Sequence, residues 1–250
     1  MSHIHIPDGV LPLWLVLVGW IATATIISLC VRRVREIELA RKLPLIGIVS
    51  ALMIVGMSLE IVPIGYHINM TVIAGIILGP ALGFLSAFMV DLILAMFGHG
   101  GITVVGLNTL ILGSETVLGF YLFRVLLSVC GKSSFSTVLA AALGTIFTLI
   151  ISTSLMIGVV YVSQVNPERA LHIEKNSAGK ILVFELHGEH GEYEIPADKK
   201  INITTFASIV LFLGMFGWIL ESAISGLVIR YISHVRPDLI LPMEILRERT

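Results

Sequence analysis

Apolar residues in this chain gather in long runs rather than alternating or keeping to one face. Seven runs stand between polar breaks, near residues 11–31, 43–61, 67–78, 81–97, 105–127, 135–163 and 203–233. A helix needs about 20 mostly apolar residues to cross a bilayer, so the pattern predicts an all-α polytopic membrane protein with about seven transmembrane helices. The third run is short, and Gly79-Pro80 divides it from the fourth. Interrupted segments are tolerated in a membrane where their backbone is buried in protein or lines a cavity.

Composition agrees with this reading. Of the 250 residues 56% are hydrophobic and 13% charged, whereas a soluble domain carries about 25% charged residues. The net charge is −1 and no basic patch is evident, which leaves membrane lipid as the surroundings and gives no sign of a nucleic-acid partner. Cys30 and Cys130 close apolar runs without a C-x-x-C neighbour and read as packing residues. The sequence has no phosphate-binding loop, no H-E-x-x-H helix and no Ser/His/Asp order. It is therefore not expected to hydrolyse ATP or to be an enzyme.

The basic residues set an orientation. Five of the sixteen, Arg32, Arg33, Arg35, Arg41 and Lys42, follow the first run, which places that segment in the cytoplasm. Alternation returns Arg124 and Lys132, then Arg230, Arg236, Arg247 and Arg249, to the same side. The amino terminus is expected outside and the carboxyl terminus in the cytoplasm. No Lys or Arg precedes the first run, so a cleaved signal peptide is not expected. Three parts are expected: a membrane domain that includes the amino-terminal segment (1–163), an extracytoplasmic loop (164–202), and a last span with a cytoplasmic tail (203–250). Within the loop "ALHIE", "ILVFEL" and "EYEIP" read as short strands of a small β meander.

This orientation puts seven of the eight histidines on the outer side, all but His234. His3 and His5 open the chain. A free amine followed by Xaa-His offers the amine, the deprotonated amide and the imidazole Nδ1 to one metal in a near-planar set, which suits Ni²⁺ or Cu²⁺. The small Ser2 favours removal of Met1, making Ser2-His3 that unit; with Met1 retained, Met1-Ser2-His3 supplies four nitrogens. Against this stands a frayed, solvated terminus. His67, in "IGYHINMT", is expected to open the third span, where an ionisable residue is a functional candidate by default. In "FGHGGITVVGLN", His99 lies in a glycine-dense turn that implies close backbone approach. Asn69, Asn108 and His99 are candidates for supporting the ligands from behind.

Asn108 and Glu115 fall seven residues apart on one helical face. Glu60, Asp91, Glu115 and Glu221 are the acidic residues at or inside spans; they read as partners of imidazoles, proton-relay groups or paired structural charges. His187 and His190, with Glu189 and Glu192 nearby, form a weaker candidate in the loop, where a solvated turn is the simpler reading.

Together, "HIPDGVLP", His67 ahead of "ILGPALG", "FGHGGITVVGLN" and "ESAISGLVIRYISHVRPDLI" resemble the CbiM/NikM family. These are the substrate-capture (S) components of energy-coupling-factor transporters for cobalt and nickel. The resemblance runs through most of residues 1–163 and 203–240. It implies a metal held by nitrogens from the first residue, from the His that follows it, and from a His at the start of a later span, which maps onto His67. By the "IPDG" anchor His5 takes the place of the second residue, with Met1 to His3 preceding the usual first position at Ile4. Either Ser2-His3 forms the chelate, or His5 binds through its side chain without the terminal amine.

The resemblance further implies Co²⁺ or Ni²⁺ as transported substrate and no organic cofactor. It implies the cytoplasmic (inner) membrane of a prokaryote, with a transmembrane coupling (T) subunit and cytoplasmic ATPase (A) subunits as partners. In relatives a small accessory membrane subunit takes part, and the 164–202 insertion is a candidate for its work. The rival reading is a stand-alone secondary metal carrier with Asp91, Glu115 and Glu221 as relay groups.

Overall fold

The computed structural model describes residues 11–61, 66–131, 133–163, 174–175, 181–182 and 203–240. Helix α1 (Leu13–Arg33) follows an extended Pro12 and ends on Arg32 and Arg33, cations that suit the negative end of its dipole. Helix α2 (Glu36–Ser58) begins seven residues earlier than its apolar run, because "EIELARK" consists largely of good helix formers. The basic cluster is thus no loop. Arg35 is a cap residue, and Arg41 and Lys42 stand on the first turns of α2.

Strands β1 (Glu60–Ile61) and β2 (Tyr66–His67) pair antiparallel, with Glu60 opposite His67. His67 therefore does not open the third helix. Met70 adopts a left-handed backbone, φ 57° and ψ 14°, and α3 starts only at Thr71 (Thr71–Leu78). A non-glycine residue in that region cannot be an inner helical position, so the helix stops short of the histidine.

With 8 residues, α3 rises only about 12 Å, well short of the roughly 30 Å hydrocarbon core. Gly79 then reverses the chain at φ 87° and ψ 169°, a conformation open essentially to glycine. Pro80 sits in the first turn of α4 (Pro80–Met96), a position where its missing N–H costs nothing. The chain continues through α5 (Val105–Cys130), α6 (Ser134–Ser163) and α7 (Ile203–Val235) to a 3₁₀ turn at Pro237–Leu239.

Among the described residues, five helices are long and apolar enough to cross a membrane, against the seven spans expected: α1, Leu39–Ser58 of α2, α5, α6 and Thr204–Val235 of α7. Helix α4 is a shorter apolar helix. In the insertion, β3 (Glu174–Lys175) pairs antiparallel with β4 (Ile181–Leu182); the "EYEIP" strand lies outside the described residues.

Every residue of α3 is buried, and α2, α4, α5, α6 and α7 all touch it. Close approach rests on small residues, as is usual between membrane helices. A Cβ on Gly75 of α3 would stand 1.9 Å from the Thr116 carbonyl oxygen of α5. A Cβ on Gly106 of α5 would stand 2.7 Å from the Trp20 nitrogen of α1.

Candidate metal centre

The extended stretch before α3 carries His67 to the edge of the bundle, where it is half-buried. His99 arrives from the opposite direction. After α4 the chain turns through Gly98 and Gly100, both at positive φ, and the exposed His99 between them donates its N–H to the Leu94 carbonyl at 2.9 Å. The two imidazoles meet edge to face, with centroids 6.1 Å apart and planes at 86°. The structure thus brings together two of the histidines that the sequence placed on one side.

Buried polar side chains fix the backbone that follows His67. Glu221 of α7 accepts the Met70 N–H at 3.2 Å. Glu115 of α5 accepts the hydroxyls of Thr71 on α3 and Ser152 on α6. Asp91 of α4 accepts the Thr109 hydroxyl of α5 at 2.8 Å. All three carboxylates are fully buried, as is Asn69, and Asn108 is nearly so. Glu115 and Asn108 share the buried face of α5 that their spacing predicts.

Helix α1 is bound to the same end of the bundle. Leu11 and Leu15 pack on Val104 and Leu107. The Trp20 indole donates to the Thr103 carbonyl at 2.7 Å, and the Thr23 hydroxyl to the Gly106 carbonyl at 2.6 Å. Leu11, the first described residue, thus packs against the residues that open α5, shortly after the turn that carries His99.

Met1, Ser2, His3 and His5 lie outside the described residues, as do His187, Glu189, His190 and Glu192. Among the described residues no three His, Cys, Asp or Glu side chains gather closely enough to hold a metal. His67 and His99 are the two candidate site histidines that the described residues bring into contact. Sequence reasoning missed the tie between Glu221 and Met70, which are 151 residues apart, and the register that sets Glu60 opposite His67. No spacing rule reports either contact.

Comparison with known proteins bears on this arrangement. A family model described as "Cobalt uptake substrate-specific transmembrane region" matches residues 5–239. The chain belongs to the CbiM family. Among its relatives, a protein named for metal transport in Haloquadratum walsbyi is 37% identical over 126 residues, covering 48% of this chain and 58% of that protein. One from Haemophilus influenzae, similarly named, is 30% identical over 125 residues, covering 48% and 57%. The match thus spans a little over half the length of these two relatives. A protein of Methanosarcina barkeri named for cobalt transport as CbiM 2 is 25% identical over 253 residues, covering 98% of this chain and 95% of its own.

The fold of this CbiM-family chain is also that of two solved structures. A transition metal transporter matches with TM-score 0.65 and 21% identity over 92% of this chain and 93% of its own. A truncated one matches with TM-score 0.64 and 20% identity over 92% and 98%.

Proposed function

We propose that this integral membrane protein captures Co²⁺ or Ni²⁺ at the outer side of the cytoplasmic membrane of a prokaryote. It serves there as the substrate-specific component of an ATP-driven energy-coupling-factor importer. It binds metal and catalyses no reaction. The observation that carries the reading is the meeting of His67 and His99 beside the point where the amino-terminal segment reaches the bundle. Metal–imidazole bonds are about 2.0–2.1 Å long, and His67 is the imidazole ligand at the core of the site. His99 stands against it and sets its orientation, as partners behind a ligand do.

The remaining nitrogens come from the chain ahead of Leu11. Six residues span at most about 21 Å, which bounds how far His5 can stand from Leu11. The family match begins at His5, which favours it over His3 as the second imidazole. If the mature chain begins at Ser2 or Met1, its amine and the His3 unit complete a planar set that suits Ni²⁺ better than Co²⁺ by intrinsic affinity. The cationic ends of α1 and α2 support a cytoplasmic placement of the opposite face. A transmembrane coupling subunit and ATPase subunits are the partners this reading requires, and the 164–202 insertion replaces a small accessory subunit.

Calorimetric titration of the purified full chain with Ni²⁺ and Co²⁺ tests the site. His67→Ala is expected to abolish high-affinity binding, and His99→Ala to weaken it by roughly 10–100-fold. Affinity unchanged in His67→Ala would remove the assignment. His5→Ala compared with His3→Ala separates the two amino-terminal arrangements, and the intact mass identifies the first residue. Uptake into vesicles that lack any ATPase subunit would replace the importer reading with a secondary carrier.

A further inference from the structure

At the end of α3 away from His67, the fold gathers cationic side chains around a cavity. A cavity of about 340 Å³ opens there, walled by Arg33 of α1, Lys42 of α2, the Gly79-Pro80 turn and Arg124 of α5. Among the described residues its lining carries three cationic side chains and no carboxylate. Each cation is held in place or poised at the wall. The Arg124 guanidinium lies 4.8 Å over the Phe120 ring, an attraction that orients its plane. Lys42 Nζ donates to the Leu78 carbonyl at 2.9 Å, and Arg33 stands on the last turn of α1. Ala81 and Leu82 also line the cavity. Their N–H groups belong to the first turn of α4, which has no acceptor within the helix and carries the positive end of its dipole.

A second cavity, about 250 Å³, shares Arg33, Pro80 and Ala81 with the first and continues between α1, α4 and α5. Its further wall is apolar: Ile26, Leu29, Phe84, Val117 and the ring of Tyr121. Leu29 and Ile26 lie about 6 and 10 Å from Arg33 along α1, towards the middle of the span. Leu29 and Tyr121 are exposed on the bundle's perimeter, so this groove opens to the lipid side. A cationic pocket therefore leads directly into an apolar slot along the membrane.

We propose that the joined cavities bind one anionic phospholipid of the leaflet at this end, its phosphate among Arg33, Lys42 and Arg124 and an acyl chain along the groove. Guanidinium groups recognise phosphate oxygens through paired hydrogen bonds. Basic pockets between spans are a recurrent form of anionic-lipid site. A zwitterionic headgroup brings an ammonium for which this lining offers no carboxylate. Free phosphate satisfies the pocket but leaves the groove unused.

Native mass spectrometry of the full-length protein in detergent tests this with phosphatidylglycerol, phosphatidylcholine and inorganic phosphate as probes. Phosphatidylglycerol is expected to be retained roughly tenfold or more over phosphatidylcholine and to resist displacement by millimolar phosphate. Two neutralised cations correspond to roughly a thirtyfold loss, expected of the Arg33→Gln, Arg124→Gln double variant while Ni²⁺ affinity stays unchanged. Val117→Phe, which fills the groove, is expected to weaken lipid retention alone. Equal retention of both lipids, displacement by inorganic phosphate, or unchanged retention in a folded double variant would each overturn the proposal. The first two outcomes are read on the unaltered protein and do not depend on any variant folding.

Discussion

The two ends of α3 are held by hydrogen-bonding side chains of opposite kind, acceptors at one and a donor at the other, that come from distant parts of the chain. At its start, Glu221 takes the Met70 N–H and Glu115 takes the Thr71 hydroxyl. At its finish, Lys42 gives a hydrogen bond to the Leu78 carbonyl. Acceptors at the first turn and a cationic donor at the last meet the exposed N–H and C=O groups of the helix ends. The need is structural as well. The first four N–H and last four C=O groups of any helix lack partners within it, so 8 residues leave little that is internally bonded. Buried at membrane depth, such a helix depends on its neighbours for both ends. The difference lies in what each end adjoins. The carboxyl anchors hold Met70 and Thr71, a few residues after His67, whereas the cationic anchor sits in the basic cavity.

Substitutions can break this contrast. The largest effect is expected of Gly75→Val, because a Cβ already meets the Thr116 carbonyl oxygen at 1.9 Å and α3 has no space to retreat. Overpacking costs about 1–3 kcal/mol and sometimes more, so little folded protein should survive size-exclusion chromatography after extraction. A folded variant with unchanged melting temperature would mean that α3 is not pinned between its neighbours.

Glu115→Ala comes next. It strands the Thr71 and Ser152 hydroxyls, at about 1–3 kcal/mol for each buried group left unsatisfied. A drop in melting temperature, partly restored by Glu115→Gln, is the expected result.

Glu221→Ala sharpens the comparison, since it loosens Met70 close to His67. Ni²⁺ affinity should fall by about tenfold with a modest change in melting temperature, and Glu221→Gln, whose carbonyl accepts the same N–H, should recover most of it. Lys42→Met removes the anchor at the other end. It should cost about 1 kcal/mol and leave metal affinity alone. Should Lys42→Met lower metal affinity as far as Glu221→Ala does, the two ends would not be separate devices.

The exposed pair Arg236–Asp238, 3.0 Å apart, gives the baseline. Arg236 beside it holds the Asp238 carboxyl below its usual range. Its contribution is therefore present at neutral pH and lost as pH falls through that lowered value. Fully solvated, the pair should be worth too little to detect, so Asp238→Asn is expected to melt with the parent protein at both pH 7 and about pH 4.

Long runs such as "FASIVLFLGMFGWIL" made most of the helical segments legible, because apolar length alone decides them. The resemblance led to the family in the same way, through motifs that the family match covers. Boundaries were less legible. The left-handed Met70 depends on a carboxylate 151 residues away, so nothing near His67 announces that the helix starts at Thr71. The early start of α2 was hidden because charged helix formers at a membrane surface look like a loop when hydropathy alone is read. At the site, the sidedness of the histidines pointed towards His67 and His99, but only the turn through Gly98 and Gly100 and the strand at Tyr66–His67 bring the rings together. The carboxylates Asp91, Glu115 and Glu221 were legible as unusual residues; their hydroxyl and amide partners were not.

The contact between α1 and α5 has a consequence for tolerance to sliding. Gly19 and Gly106 bring the two backbones together, and the bonds from Trp20 and Thr23 fix their relative height. A slip by one helical turn would move α1 about 5.4 Å, nearly the 6.1 Å that separates the two imidazoles. Helix α1 thus acts as a fixed datum for the chain ahead of it. Thinning or thickening of the surrounding bilayer can tilt the bundle, yet the point where that leading segment departs keeps its level against His99.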